Sequence, residues 1–349
     1  MKILIAIALA LAAIALAVLT YRAEPDTLDQ RVKAEQSREQ DGAHPAPSVV
    51  LSINASKPSA MVRAANAAVA SPLSQEFYKT RSLKALYDRL SAPGGATTGE
   101  EKFTLFRIVS RCGRRADVNN PEPKRDRATR RLELEAMIPM ANPDRDKRLA
   151  LFDQMSARCE GLESLATTSA DLDKLLADAA STGDAKAQAR LAFPPMTNGP
   201  NGAQMKLSDD QFRTLQSAIA SRDPEAIMIA GTALSNTYDD AVLRLGPDQA
   251  ELSPRASLEA WRLMACEYGM DCGPDNLWLQ QGCVEVGHCA ASTVQDQVFY
   301  YGVSPYESQL IDQYRQIFRN AVANNDWSAL QLSRQLNTGG SRFYAMPSP

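Results

Sequence analysis

Histidine is nearly missing from this sequence, which carries only His44 and His288 among 349 residues. Histidine is the side chain whose ordinary pKa lies nearest neutrality, so a mechanism needing a His general base must rest on His44, which stands in a proline-punctuated polar stretch, or on His288. No Gly-x-Ser-x-Gly elbow, His-Glu-x-x-His helix, Walker A loop or Gly-x-Gly-x-x-Gly fingerprint occurs. These absences count against an enzyme, leave catalytic residues unassigned and imply no cofactor. A basic excess is lacking too: 38 Lys and Arg stand against 41 Asp and Glu, a net charge of −3. Nucleic-acid binders present strongly positive surfaces, so no nucleic-acid partner is expected. The first cysteine is Cys112, which excludes a lipoprotein anchor near the N-terminus, and no Cys-x-x-Cys supports thioredoxin-like redox chemistry.

What the chain does have is 44% hydrophobic residues, enough for a sizeable core, and one long apolar run. Met1 and Lys2 precede Ile3 to Leu19, 17 residues without a charge, extended by Thr20 and Tyr21 as far as Arg22. At about 1.5 Å per residue this run is at the short end of a bilayer span. It exceeds the roughly 7–15 apolar residues of a cleaved signal, and apolar residues continue beyond the small-residue site Ala15-Leu16-Ala17. The reading is a signal anchor over 1–21, touching the inner membrane through residues 3–21; a cleaved signal peptide and secretion is the alternative. Lys2 against Arg22, Arg31, Lys33 and Arg38 favours a body inside. The two-residue tail and the six cysteines favour export to an oxidising compartment. The expectation is a single-pass bacterial inner-membrane protein with its body in the periplasm.

Residues 22–60, with Pro25, Pro45, Pro47 and Pro58, read as a disordered tether. Helices then follow one another, giving an all-α expectation: a helical domain over 61–165, a helical-repeat region over 166–337, and a frayed tail over 338–349. Leu83, Leu86, Tyr87 and Leu90 share a face until Pro93-Gly94-Gly95, and Thr98 to Glu101 forms a capping box. Leu105, Ile108, Val109 and Cys112 follow at helical spacing, as do Phe152, Met155 and Cys159. Ser208 with Gln211 opens another helix, and Ser304-Pro305-Tyr306-Glu307 combines a capping box with proline at the first helical position.

An internal pattern recurs when the later helices are aligned on an aspartate. Leu176, Ala179, Ser181, Asp184 and Ala187 match Leu215, Ala218, Ala220, Asp223 and Ala226, then Phe318, Ala321, Ala323, Asp326 and Ala329. A poorer copy has Leu263, Cys266, Tyr268 and Asp271. Small residues let antiparallel helices approach closely, and Asp184, Asp223, Asp271 and Asp326 are expected to cap the second helix of each pair. The stretch Leu175 to Leu191 resembles the helix turn of Sel1-like repeats, relatives of the tetratricopeptide repeat. The resemblance is strong over some 20 residues and weak over 170–336, and the Gly-rich second half of the Sel1 unit is absent. It implies antiparallel helix pairs in an irregular α-solenoid-like array behind the membrane segment. The turn from Cys266 to Cys272 also resembles secreted cysteine-rich Sel1-like proteins, in which a disulfide closes a helical hairpin, although the spacing here is shorter.

Cys112 and Cys159 each fall on a helical stripe and can meet across a helix pair. Cys266, Cys272, Cys283 and Cys289 allow three pairings, of which proximity favours the two short ones. A zinc site, with four thiolates or with His288 replacing one, is the alternative; the six-residue steps suit it poorly, so no metal is expected. Nine Lys/Arg against three Asp/Glu between Arg107 and Arg131 read as a solvated connection between helices, or else as a patch for anionic lipid head groups, nucleic acid or an acidic partner. Trp261, Trp278 and Trp327, with Tyr300 and Tyr301, belong to the core or line a groove. The acidic pairs Glu100-Glu101, Asp209-Asp210 and Asp239-Asp240 stand at helix starts or turns, where capping explains them. Two functions follow as expectations: a membrane-tethered scaffold binding an envelope protein or peptide, or an envelope enzyme acting on cell-wall material with carboxylate acid/base chemistry. Facing carboxylates in a cavity would favour the enzyme.

Overall fold

The computed structural model describes residues 70–115, 127–193, 197–199, 202–236, 238, 240–246, 248 and 250–334. The apolar segment 3–21, the tether 22–60, Asp239 and the tail 338–349 lie outside the described residues. Among the described residues no helix is long and apolar enough to cross a membrane.

Local sequence rules set most helix starts. Pro72 opens α1 (Pro72–Lys79) behind the Ser71 cap. Leu83, Leu86 and Leu90 give α2 (Leu83–Ser91) its buried stripe. Reciprocal Thr98 and Glu101 bonds start α3 (Gly99–Cys112). α4 (Arg127–Met137) and α5 (Arg145–Ala157) pack on each other. Next come α6 (Ser169–Ser181), α7 (Ala185–Ala192), α8 (Asp209–Ala220), α9 (Pro224–Leu234) and α10 (Pro254–Glu267). The chain continues through α11 (Leu277–Val286), the short α12 (Val294–Gln297) with a π-helical turn over Val298–Gly302, and α13 (Pro305–Asn324).

Packing follows chain order through the middle of this body. α3 lies on α6, then α6 meets α7, α7 meets α8, α8 meets α9, α9 meets α10, and α10 meets α13. Alanine makes the close approach possible: Ala179, Ala187, Ala189, Ala218, Ala226, Ala230 and Ala260 are all buried. At the centre Trp261 stacks on Phe318, with ring centroids 3.8 Å apart and planes 7° from parallel. Gly231 of α9 faces that indole directly.

The all-α expectation needs correction at the edges. Two-residue strands β1 (Arg114–Arg115) and β2 (Ala166–Thr167) pair in parallel, and β3 (Thr197–Gly199) and β4 (Gly202–Gln204) form an antiparallel hairpin. β5 (Val242–Leu245) lies between β6 (Ala250–Glu251) and β7 (Leu330–Ser333), antiparallel to both. Burial drives the last pairing: Leu243, Leu245 and Leu330 all enter the core, and the ladder satisfies their backbone groups there.

Two buried charges tie elements together. Glu267 accepts from Arg315 and from Arg319, both on α13. Arg148 of α5 donates to the carbonyls of Val284 and Glu285, occupying the open end of α11. That end is closed by Gly287 at φ 82°, a left-handed conformation that favours glycine.

All six cysteines are bridged: Cys112 to Cys159, Cys266 to Cys272 and Cys283 to Cys289. No thiolate among them is therefore free to hold zinc. The Cys112 bridge joins the last residue of α3 to the turn after α5, Cys159 standing two residues beyond the helix end. With a sequence separation of 47 it constrains the unfolded chain by about 4 kcal/mol, and each hairpin bridge, with a separation of 6, by about 2 kcal/mol. Three such bridges are compatible with an oxidising, extracytoplasmic compartment.

The capping carboxylates give the body a defined acid response. Hydrogen bonds from the Thr98 and Thr97 amides hold Glu101 down at about 2, the Ser292 hydroxyl lowers Asp296, and the Ser304 amide lowers Glu307. A folded pKa below the unfolded one contributes stability that is fully present above the unfolded value and is lost as pH falls through the folded one. The thermal midpoint is therefore expected to fall as pH drops from the usual glutamate value of 4.5 towards 2. Glu101→Gln should lower it at neutral pH and flatten that slope; an unchanged slope in scanning calorimetry would contradict the assignment.

Candidate functional site

A cleft of about 340 Å³ opens where α1, α3, α7 and α9 converge, with Met270 after α10 and Leu277 at the start of α11 on its far wall. Phe77, Tyr78, Phe103 and Phe106 supply aromatic walls, and Met228 and Ile229 an aliphatic one. Helical spacing explains the α3 contribution. Phe103, Arg107 and Arg111 fall on one side at i, i+4 and i+8, and Phe106 and Ser110 fall beside them.

Arg107 is the pivot. It donates to both oxygens of Glu225, at 2.7 and 2.9 Å, and the Tyr78 hydroxyl donates to the same carboxylate. Its guanidinium carbon stands 3.8 Å from the Phe77 ring centroid and 4.9 Å from that of Tyr78. Burial pushes the Tyr78 hydroxyl far above its ordinary range, with the Glu225 anion adding to the effect, so Tyr78 remains a proton donor.

Two further arginines, Arg111 and Arg190, reach solvent at the rim, and neither is paired with a carboxylate among the described residues. Burial of part of its side chain pulls Arg111 below the usual arginine value, and Arg107 pulls it further. Behind them Arg158 donates to the Phe77 carbonyl, and its buried Nε has no partner. Burial brings Arg158 down to about 10, with Arg111 and Arg107 contributing and Asp275 opposing. The cleft wall thus holds three guanidinium groups and a single carboxylate, already occupied. Such a surface attracts an anion and offers it an apolar bed.

Beside the cleft, Lys186 gathers the repeat caps. Asp184 caps α7 by accepting from the Ala187 amide, and Asp223 caps α9 by accepting from Glu225 and Ala226. Both carboxylates stand 3.2 Å from Lys186 Nζ, and Glu100 of α3 is 3.9 Å away. Asp271 and Asp326 correct the expectation of four equivalent caps. Asp271 accepts from the Gly273 amide in the turn that Cys266–Cys272 closes, and Asn276 caps α11 instead, since Pro274 delays the helix. Asp326 accepts from Ser328 after Asn325 ends α13 at φ 51°, and a strand follows. The chain matches no known family, no curated protein and no solved structure.

The other sequence candidates fall elsewhere. Glu101 is spent on its capping box, and Glu100 on Ser71 and Lys186. Asp209 and Asp240 pair with Arg334, and Asp210 with Arg213. Trp261 is core, Trp278 lies under Arg262 with 3.8 Å between the charge and the ring, and Tyr300 and Tyr301 are exposed. His288 stacks on Tyr301 at 4.2 Å, and burial lowers its pKa. Within the basic stretch, Arg127 and Arg131 pair with Asp153, while Arg107 and Arg111 enter the cleft. Sequence reading missed Glu225, Lys186 and Arg190; the available signal was a charge beside an alanine, in the first turn of a helix for Glu225 and Lys186 and in the last turn for Arg190.

Proposed function

We propose that this protein is a membrane-tethered, extracytoplasmic helical scaffold whose body binds a protein or peptide partner in the arginine-lined cleft. The observation that carries the reading is the pairing of apolar walls with unpaired guanidinium groups around one neutralised carboxylate. Acid/base catalysis on cell-wall material would need two carboxylates facing one another, and among the described residues Glu225 is the single carboxylate lining the cleft. In this reading the paired helices α6–α7 and α8–α9 form part of an irregular α-solenoid-like array of the Sel1 and tetratricopeptide type, supported by their shared aspartate caps and buried alanines. Residues 3–21 anchor the chain in a bacterial inner membrane with the body in the periplasm; the three disulfides support that side of the membrane.

The test places a photo-crosslinking residue at Ser110 on the cleft lip and another at exposed Arg213 in living cells. A discrete adduct is expected from Ser110, and Ile229→Trp, which fills the cleft, should abolish it while leaving the Arg213 profile unchanged. The same Ser110 adduct in the filled variant would refute cleft binding. An alkaline phosphatase fusion after residue 60 should be active, and an inactive fusion would refute the topology.

A further inference from the structure

The charge and the apolar walls of the cleft lie close enough together to demand both features from one small ligand. We infer that the cleft receives the free C-terminus of a peptide ending in a bulky apolar residue, with Arg111 and Arg190 holding the terminal carboxylate while the aromatic walls take the last side chain. The inference rests on the binding function proposed above and names its ligand class.

Three features argue for this occupant. Three arginines against one glutamate leave a formal excess of two positive charges on the wall, and Glu225 cannot repel an incoming anion because Arg107 and Tyr78 hold it. Guanidinium forks match carboxylate oxygens in geometry as well as charge. A terminal Leu or Phe carries a carboxylate and an apolar side chain on the same Cα, whereas an internal Asp or Glu brings the charge without the apolar branch. The volume, about 340 Å³, stands at the small end of ligand clefts, which run from roughly 300 to 1,000 Å³. That suits the tip of a peptide better than a long acyl chain. Met228 and Met270 on the wall can adapt to more than one apolar side chain.

The full chain in phosphatidylcholine nanodiscs provides the test, with fluorescence anisotropy of labelled Gly-Ser-Gly-Ser-Phe as the free acid, as its C-terminal amide, and with Ser replacing Phe. The free acid should bind, and amidation or loss of Phe should each weaken binding by about tenfold or more. Arg111→Gln with Arg190→Gln, at an unchanged thermal midpoint, should bring acid and amide to the same affinity, and Arg111→Lys should restore part of the difference. Equal binding of acid and amide to the native chain would overturn the carboxylate assignment and leave peptide binding standing. Binding of neither peptide would overturn both. Arginine-dependent binding of phosphatidylglycerol vesicles that displaces the free acid would assign the cleft to an anionic lipid instead.

Discussion

Gly231→Ala is expected to destabilise the body by about 3 kcal/mol, although alanine favours helix over glycine by roughly 1 kcal/mol. A Cβ at this position would stand 2.3 Å from Cγ and 2.4 Å from Cβ of Trp261. The indole cannot withdraw, because it is fully buried and its other face lies against Phe318. Overpacking therefore outweighs propensity, and the backbone of α9 must move away from α10. Chemical denaturation should show a lower midpoint with an unchanged slope. Adding Trp261→Ala, which removes Cγ and the ring beyond it, should make the pair less costly than the sum of the single changes. A neutral or stabilising Gly231→Ala would mean that α9 and α10 do not approach as described.

Glu267→Ala should cost about 3–5 kcal/mol, the range for removing one partner of a buried ion pair. Its side chain is 1% exposed and takes donors from Arg315 and Arg319, of which Arg315 is itself only 12% exposed. Loss of the carboxylate strands Arg315 between α10 and α13, with Asp312, an exposed residue on its own helix, as the remaining partner. A second change, Arg315→Met, should recover part of the loss, since it removes the buried charge left without its carboxylate. Equal midpoints for the native chain and Glu267→Ala in thermal scans would show that the triad is not buried in solution.

Much of this body was legible from short-range chemistry. The capping boxes at Thr98, Ser208 and Ser304 follow a rule that spans four residues, so nothing distant can hide them. Asp184 and Asp223 were readable for the same reason. Asp271 and Asp326 misled because the repeat pattern lies mostly in the helix before the aspartate, with at most one alanine after it, while the residues after it decide what comes next: Gly273-Pro274 in one case, a strand in the other. The strand pair β5 and β7 escaped notice because four alternating residues are a weak signal and their partners lie far along the chain. The cleft was hidden more deeply. Arg107 and Glu225 are 118 residues apart, and Tyr78 and Glu225 are 147 apart. No local pattern reports such a meeting, and the basic stretch suggested a solvated surface where two of its arginines in fact enter a pocket.

The position of Lys186 bears on how this body can be taken apart or rebuilt. Its ammonium group neutralises the aspartates that begin two successive second helices, and it touches a carboxylate from α3 as well. Burial acts against its charge, and Asp223, Asp184, Glu100 and Glu225 together outweigh that and raise its pKa. An array of independent units can lose or exchange one member with each keeping its own counter-ions. Here a single cation is held in common, so excising α6 and α7 would strip Asp223 of its partner in the neighbouring pair. The two helix pairs are consequently expected to melt as a linked set and not one at a time.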